Sequence, residues 1–239
     1  MKLQNRVDPY GQLQVAAARG ALMGNRGILH NGAKQIIAAW RSPRWITCTL
    51  SFKGRRREVF APHRYSQLFF VDEATSLAAG HRPCAECRRN RFKEFCAAWA
   101  AGNAHLGGPL PLSADKIDRV LHSERVQRGG GKKTYKAILS SLPAGVIVEH
   151  EGRAYLLWAG KLRPWSFAGY GPADDVSSEA GVKVLSPRSI VRAIKAGFVP
   201  HVHESAEAPP VRRPSPRHKA GRVLAPAHRL HESGRRLNS

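Results

Sequence analysis

Two cysteines in Pro83-Cys84-Ala85-Glu86-Cys87 carry the clearest chemistry in the 239-residue chain. A C-x-x-C spacing lets two thiolates meet one metal ion from a single tight turn. Cys48 lies upstream in Trp45-Ile46-Thr47-Cys48-Thr49-Leu50-Ser51-Phe52, where alternation puts Ile46, Cys48, Leu50 and Phe52 on one face of a half-buried strand. Cys48, and His63 in Val59-Phe60-Ala61-Pro62-His63, are candidates to complete a metal site with Cys84 and Cys87. The other cysteine, Cys96, shares a helical stripe with Phe92, Phe95 and Trp99 and reads as a packing residue. A second group is Asp118, His122 and Glu124. Asp118 and His122 are four residues apart on one helix face, a spacing that could orient a general base, although a surface hydrogen-bonded pair has the same spacing.

The elements that must position these residues form a recognisable order. Phe69 to Val71 read as the end of an apolar strand. Asp72 is a good N-cap for the helical run Glu73 to Ala79, and Gly80 supplies the residue that closes it. Gly-His-Arg-Pro-Cys-Ala-Glu-Cys-Arg-Arg follows, then an amphipathic helix over 88–101. Over residues 60–89 this pattern resembles the metal-binding domain of the bacterial alkylation-repair regulator Ada, and related zinc modules attached to some nucleases and competence proteins. The resemblance implies zinc held by four Cys or by a mixture of Cys and His, with Cys84 and Cys87 as the downstream pair. The usual upstream cysteine pair is replaced here by Cys48 and His63. In Ada an upstream ligand thiolate accepts a methyl group from a DNA phosphotriester, which would make Cys48 the candidate acceptor here.

Charge points to the partner. The chain carries 39 Lys and Arg against 17 Asp and Glu, a net charge of +22. Such an excess favours polyanions. Between Arg41 and Lys93 there are 12 basic residues against 4 acidic ones. Arg55, Arg56 and Arg57 form a basic turn, and Arg82, Arg88, Arg89 and Arg91 surround the C-x-x-C turn, so these seven are the expected phosphate contacts. Nucleic acid, with DNA foremost, is the expected partner. The absence of a long apolar run and of an apolar leader after Met1 leads us to expect no membrane partner and a cytoplasmic location. Few carboxylates and no H-E-x-x-H or G-x-S-x-G motif argue against an enzyme. A metal-dependent nuclease using Asp118, His122 and Glu124 is the alternative.

The expected fold class is α+β: a small β-sheet with a zinc knuckle and helix, then a helical and hairpin-rich section, then a disordered basic tail. Residues 1–44 read as a Gly- and Ala-rich opening segment, where the glycines around Arg26 give only a faint phosphate-binding signal without a P-loop ending. Residues 45–101 form the Ada-like module, 113–203 the α+β section, and 204–239 the tail. Within the third region Ser113 caps a helix ending near Arg125, and 127–133 is a flexible basic run. Residues 134–142 read as a short helix. A hairpin turns at Glu151-Gly152, and Ser186-Pro187 opens a last helix closed by Gly197.

Overall fold

The computed structural model describes residues 2–55, 58–106, 113–127 and 130–207. Arg56, Arg57 and nearly all of the expected tail lie outside the described residues; of that tail, Glu204–Ala206 form a 3₁₀ turn. The chain is a mixed α+β fold with two six-stranded sheets. The first sheet contains β1 (Arg6–Val7), β2 (Leu13–Gln14), β3 (Leu22–Asn25), β4 (Ile46–Cys48), β5 (Leu68–Phe70) and β6 (Arg82–Pro83), ordered β2-β1-β5-β3-β4-β6. The second contains β7 (Tyr135–Ile138), β8 (Ile147–His150), β9 (Arg153–Trp158), β10 (Lys161–Ser166), β11 (Gly169–Tyr170) and β12 (Gly181–Val184), ordered β11-β10-β9-β8-β12-β7. The helices are α1 (Glu73–Ala78), α2 (Arg89–Gly102), α3 (Ala114–Arg125) and α4 (Arg188–Lys195). No helix among the described residues is long and apolar enough to cross a membrane.

Three elements differ from expectation. The opening segment supplies β1, β2 and β3, half of the first sheet. Its glycines hide that role, yet Gly24 is required inside β3, because a Cβ there would sit 2.7 Å from Ile46 O and from the Phe70 ring. The alternating strand over 46–52 stops at Cys48, and Leu50 is exposed. Thr49 Oγ1 donates to Ser51 O, a local bond that competes with continuing the ladder. Residues 134–142 are β7 followed by a 3₁₀ turn. Here antiparallel pairing with β12, Tyr135 opposite Val184, decides the conformation.

All six residues of α1 are buried; two clusters of the core meet on this helix and a third at the residue that follows it. Ala74 and Ala78 pack with Ile147, Leu156, Tyr170 and Leu185 of the second sheet and its flank. Leu77 joins Phe95, Trp99, Ile117, Leu121, Ile190 and Ile194 from the other helices. Just past the helix, Ala79 packs with Val7, Leu29, Leu68 and Phe70 around the first sheet. Small residues let both sheets approach the helix backbone.

Two carboxylates at its start tie it down. Asp72 is the N-cap, its Oδ1 accepting from Thr75 N, and its Oδ2 accepts from the Tyr170 hydroxyl and His203 N. Buried Glu73 pairs with Arg88 at 2.6 Å and with Arg91, and accepts from His201 N. Burial alone would raise the Glu73 carboxyl, but the Arg91 hydrogen bond, the Arg88 charge and the His201 amide together hold it below its ordinary value. Glu73→Gln should therefore cost about 3 kcal/mol near pH 7, because it leaves the buried Arg88 and the half-buried Arg91 guanidiniums short of charge. A carboxyl depressed in the folded state stabilises above its unfolded pKa of about 4.3 and loses that effect as pH falls through the folded value. Urea unfolding at several pH values should show the Glu73→Gln deficit full at neutrality and closing in acid.

Candidate metal centre

Pairing within the first sheet brings the cysteines together. β6 runs parallel to β4, with Ile46 opposite Arg82 and Thr47 opposite Pro83, and Cys84 N donates to Thr47 O at 2.9 Å. Cys48, one residue beyond Thr47, therefore ends beside the start of the C-x-x-C turn. Within that turn Glu86 N donates to Cys84 Sγ at 3.4 Å, and Arg88 N to Cys84 O at 3.2 Å as α2 begins. The Sγ atoms of Cys48, Cys84 and Cys87 all lie within 4.8 Å of one another, close enough to bind a metal ion. Tetrahedral zinc with Zn–S bonds of about 2.3 Å needs sulfurs about 3.8 Å apart, so the donor set fits with small adjustment.

Cys48 and Cys84 are buried and Cys87 is half-buried. The hydrogen bond from Cys48 holds the Cys84 thiol below its ordinary value, against the opposing effect of burial. The same contact, with burial and the neighbouring thiolates, pushes the Cys48 thiol far up. A site that favours the thiolate form of one cysteine suits a cation. All three cysteines line a cavity of about 260 Å³, shared with Met23, Tyr65, Gln67 and Phe69, among others. Met23 pairs directly with Cys48 across β3 and β4 and packs against Cys84. Nothing in the Gly- and Ala-rich opening segment marks Met23 as a neighbour of thiols; only the pairing register reveals it.

The other candidates are placed as follows. His63 is exposed, has φ of 58°, and is not a member of the three-cysteine group. The turn at 61–64 carries it outward. Cys96 packs against the helical core, and burial pushes its thiol up to about 11. Arg82 and Arg88, expected at phosphates, are buried instead. Arg82 makes a bidentate pair with Asp118 at 2.9 and 2.7 Å, and Arg88 serves Glu73. Arg91 is largely engaged with Glu73, Glu94 and Val199 O. The physical reason is that Asp118 and Glu73 are themselves buried and draw the nearest guanidiniums inward. Arg55, paired with exposed Glu86, and exposed Arg89 stay at the surface near the thiols.

Asp118, His122 and Glu124 share a helix but not a site. Asp118 is held by Arg82, His122 Nδ1 meets Arg125 at 3.3 Å, and Glu124 accepts from Ser189 N and Oγ at the start of α4. Burial and the Arg125 charge push the His122 imidazole below its ordinary value.

Fold and site thus define a mixed α+β protein in which three cysteines gather at the edge of a sheet. No protein-family model, curated protein or solved structure matches the chain. The likeness to the Ada module accordingly rests on the motif residues alone.

If the three cysteines hold zinc, purified protein should contain about one ion per chain by elemental analysis. Cys48→Ser and Cys84→Ser should lose it and melt at a lower temperature, while His63→Ala and Cys96→Ala should retain it. Each ligand must give up a proton, so retention should fall as pH is lowered. Equal zinc content in wild type and Cys84→Ser would disprove the assignment.

Proposed function

We propose that the protein is a zinc-stabilised nucleic-acid-binding protein, with DNA the first candidate. The observation that carries the zinc reading is the convergence of Cys48, Cys84 and Cys87 on one point. Three soft sulfur donors suit zinc among the available metals, and a redox-inert ion suits a structural role. Held there, zinc would join β4, the β6 turn and the start of α2 into one unit. The nucleic-acid reading is supported by the net charge of +22, the basic excess left after every acidic residue is counted. Among the described residues, Arg55 and Arg89 are exposed cations beside the metal centre. Binding is favoured over phosphodiester cleavage because Asp118, His122 and Glu124 have separate partners.

One further observation keeps alkyl transfer as a second reading. Cys48 faces the same cavity as Cys84 and Cys87, so a small electrophilic carbon could reach a thiolate. In that step the thiolate sulfur would bond to the methyl carbon as the carbon–oxygen bond to the phosphotriester breaks, releasing a phosphodiester.

Electrostatic binding should weaken steeply with salt, with a log–log slope of about −0.9 per phosphate contact on duplex DNA. Fluorescence anisotropy with the full chain should show this. Joint replacement of Arg55 and Arg89 by Gln should shallow the slope by about two. Salt-insensitive binding, or none to DNA or RNA, would remove nucleic acid as the partner. Incubation with magnesium, manganese or zinc should leave the nucleic acid intact. A methyl adduct on Cys48 after exposure to phosphotriester-methylated DNA would instead establish the second reading.

A further inference from the structure

A second cavity, separate from the one the cysteines line, gathers cations that form no ion pair among the described residues. It measures about 390 Å³ and is lined by Arg26, Arg125, Lys132, Trp40, Trp45 and Tyr10, among others. That volume lies in the range of small-ligand pockets, roughly 300–1,000 Å³. Arg26 and Arg125 are only 1% and 2% exposed. Both guanidiniums stand over the Trp45 ring, 3.9 and 4.2 Å from its centroid. Among the described residues, none of Arg26, Arg125 and Lys132 takes part in an ion pair. Their partners are neutral: Gly11 O and His81 Nε2 for Arg26, Gly80 O and Pro43 O for Arg125, and Ala78 O for Lys132.

Donors remain unused. Among the described residues Arg26 Nη2 and Arg125 Nε are buried and have no hydrogen-bond partner. Burying like charges together with spare donors is costly unless an anion completes the arrangement. The carboxylates nearby do not fill that role. Asp8 acts on Arg26 and Lys132 through its charge without forming an ion pair with either, and Glu149, on the cavity wall, is taken by Lys183 and Tyr10. The effect of the crowding is visible in Lys132, whose amine burial and the charges of Arg26 and Arg125 push down to about 7. Trp40 lies on the cavity wall and is 37% exposed, with the His122 imidazole in a T-shaped contact at 4.6 Å, so it offers the cavity an aromatic surface.

We propose that this cavity binds the phosphate of a nucleoside monophosphate, with Arg26, Arg125 and Lys132 around the phosphate and Trp40 against the base. Arginine forks suit phosphate oxygens, and an aromatic face accepts any base. The glycine-rich segment around Arg26, with its faint phosphate-binding signal in sequence, and Gly130, Gly131 and Lys132 of the basic run both line this cavity. The same chemical group occurs free and at the 5′ end of a nucleic-acid strand. The site does not depend on the nucleic-acid reading above, since a free nucleotide can bind where strands do not.

Isothermal titration calorimetry on the full chain tests the assignment with four probes: inorganic phosphate, adenosine 5′-monophosphate, adenosine, and a short oligonucleotide with or without a 5′-phosphate. Phosphate and the monophosphate should bind and adenosine should not. Lys132→Met should weaken the monophosphate about tenfold or more, the loss expected for one charge-assisted hydrogen bond. Trp40→Ala, at a partly exposed position, should weaken the monophosphate more than inorganic phosphate. It also keeps the test decisive should Lys132→Met fold poorly. Preference for the 5′-phosphorylated strand over its 5′-hydroxyl form, lost in the same variants, would identify a strand end as the source; tighter binding of the free monophosphate would identify the nucleotide. The proposal is overturned if neither phosphate nor the monophosphate nor a 5′-phosphorylated strand binds, or if Lys132→Met and Trp40→Ala bind them as wild type does.

Discussion

The pair of buried carboxylates at the start of α1, Asp72 and Glu73, is the constraint on which the rest of the molecule depends. A six-residue helix has too few internal hydrogen bonds to be stable alone. It persists because its cap and first turn bind distant parts of the chain. Asp72 reaches Tyr170 in the second sheet and His203 near the end of the described residues. Glu73 reaches Arg88 and Arg91 at the start of α2, and the backbone at His201. With polar anchors at one end and Ala74, Leu77 and Ala78 packed in two clusters of the core, the helix joins both sheets and α2 in one interior.

The segment leaving α1 connects the two candidate sites. Gly80, at φ of 91°, closes the helix, and a Cβ there would lie 2.5 Å from Arg125 Cδ. Only glycine satisfies both the backbone conformation and that close approach. Next, His81 accepts from Arg26 at the wall of the cationic cavity. Arg82 pairs with Asp118 on α3, the helix whose last residue, Arg125, belongs to the same cavity. Two residues further the chain reaches Cys84. The buried strand β6 thus lies along the chain between a neighbour of the cavity and the metal centre.

The arginines divide by what each finds nearby. Where a buried carboxylate is in reach, as for Arg82, Arg88 and Arg91, the guanidinium turns inward and becomes part of the architecture. Where no ion pair forms, as for Arg26 and Arg125, it stays buried on backbone carbonyls and an indole ring, with donors to spare. The first arrangement is self-sufficient; the second calls for an anion.

Local signals determined the short-range features. Asp72 as cap, Gly80 as stop, Ser113 as cap, the hairpin at Glu151-Gly152 and the packed face of α2 all follow from residues within one or two turns of each other. The Cys84–Cys87 pair was legible for the same reason, since its spacing is itself the geometry. Long-range pairing decided the remainder. That Cys48 lies beside the pair and that Met23 faces it depends on β4 lying between β3 and β6. Likewise Tyr135–Ile138 became a strand because β12 offered an edge. The division of the arginines was hidden as well, because a sequence states a charge but not which carboxylate will be buried beside it.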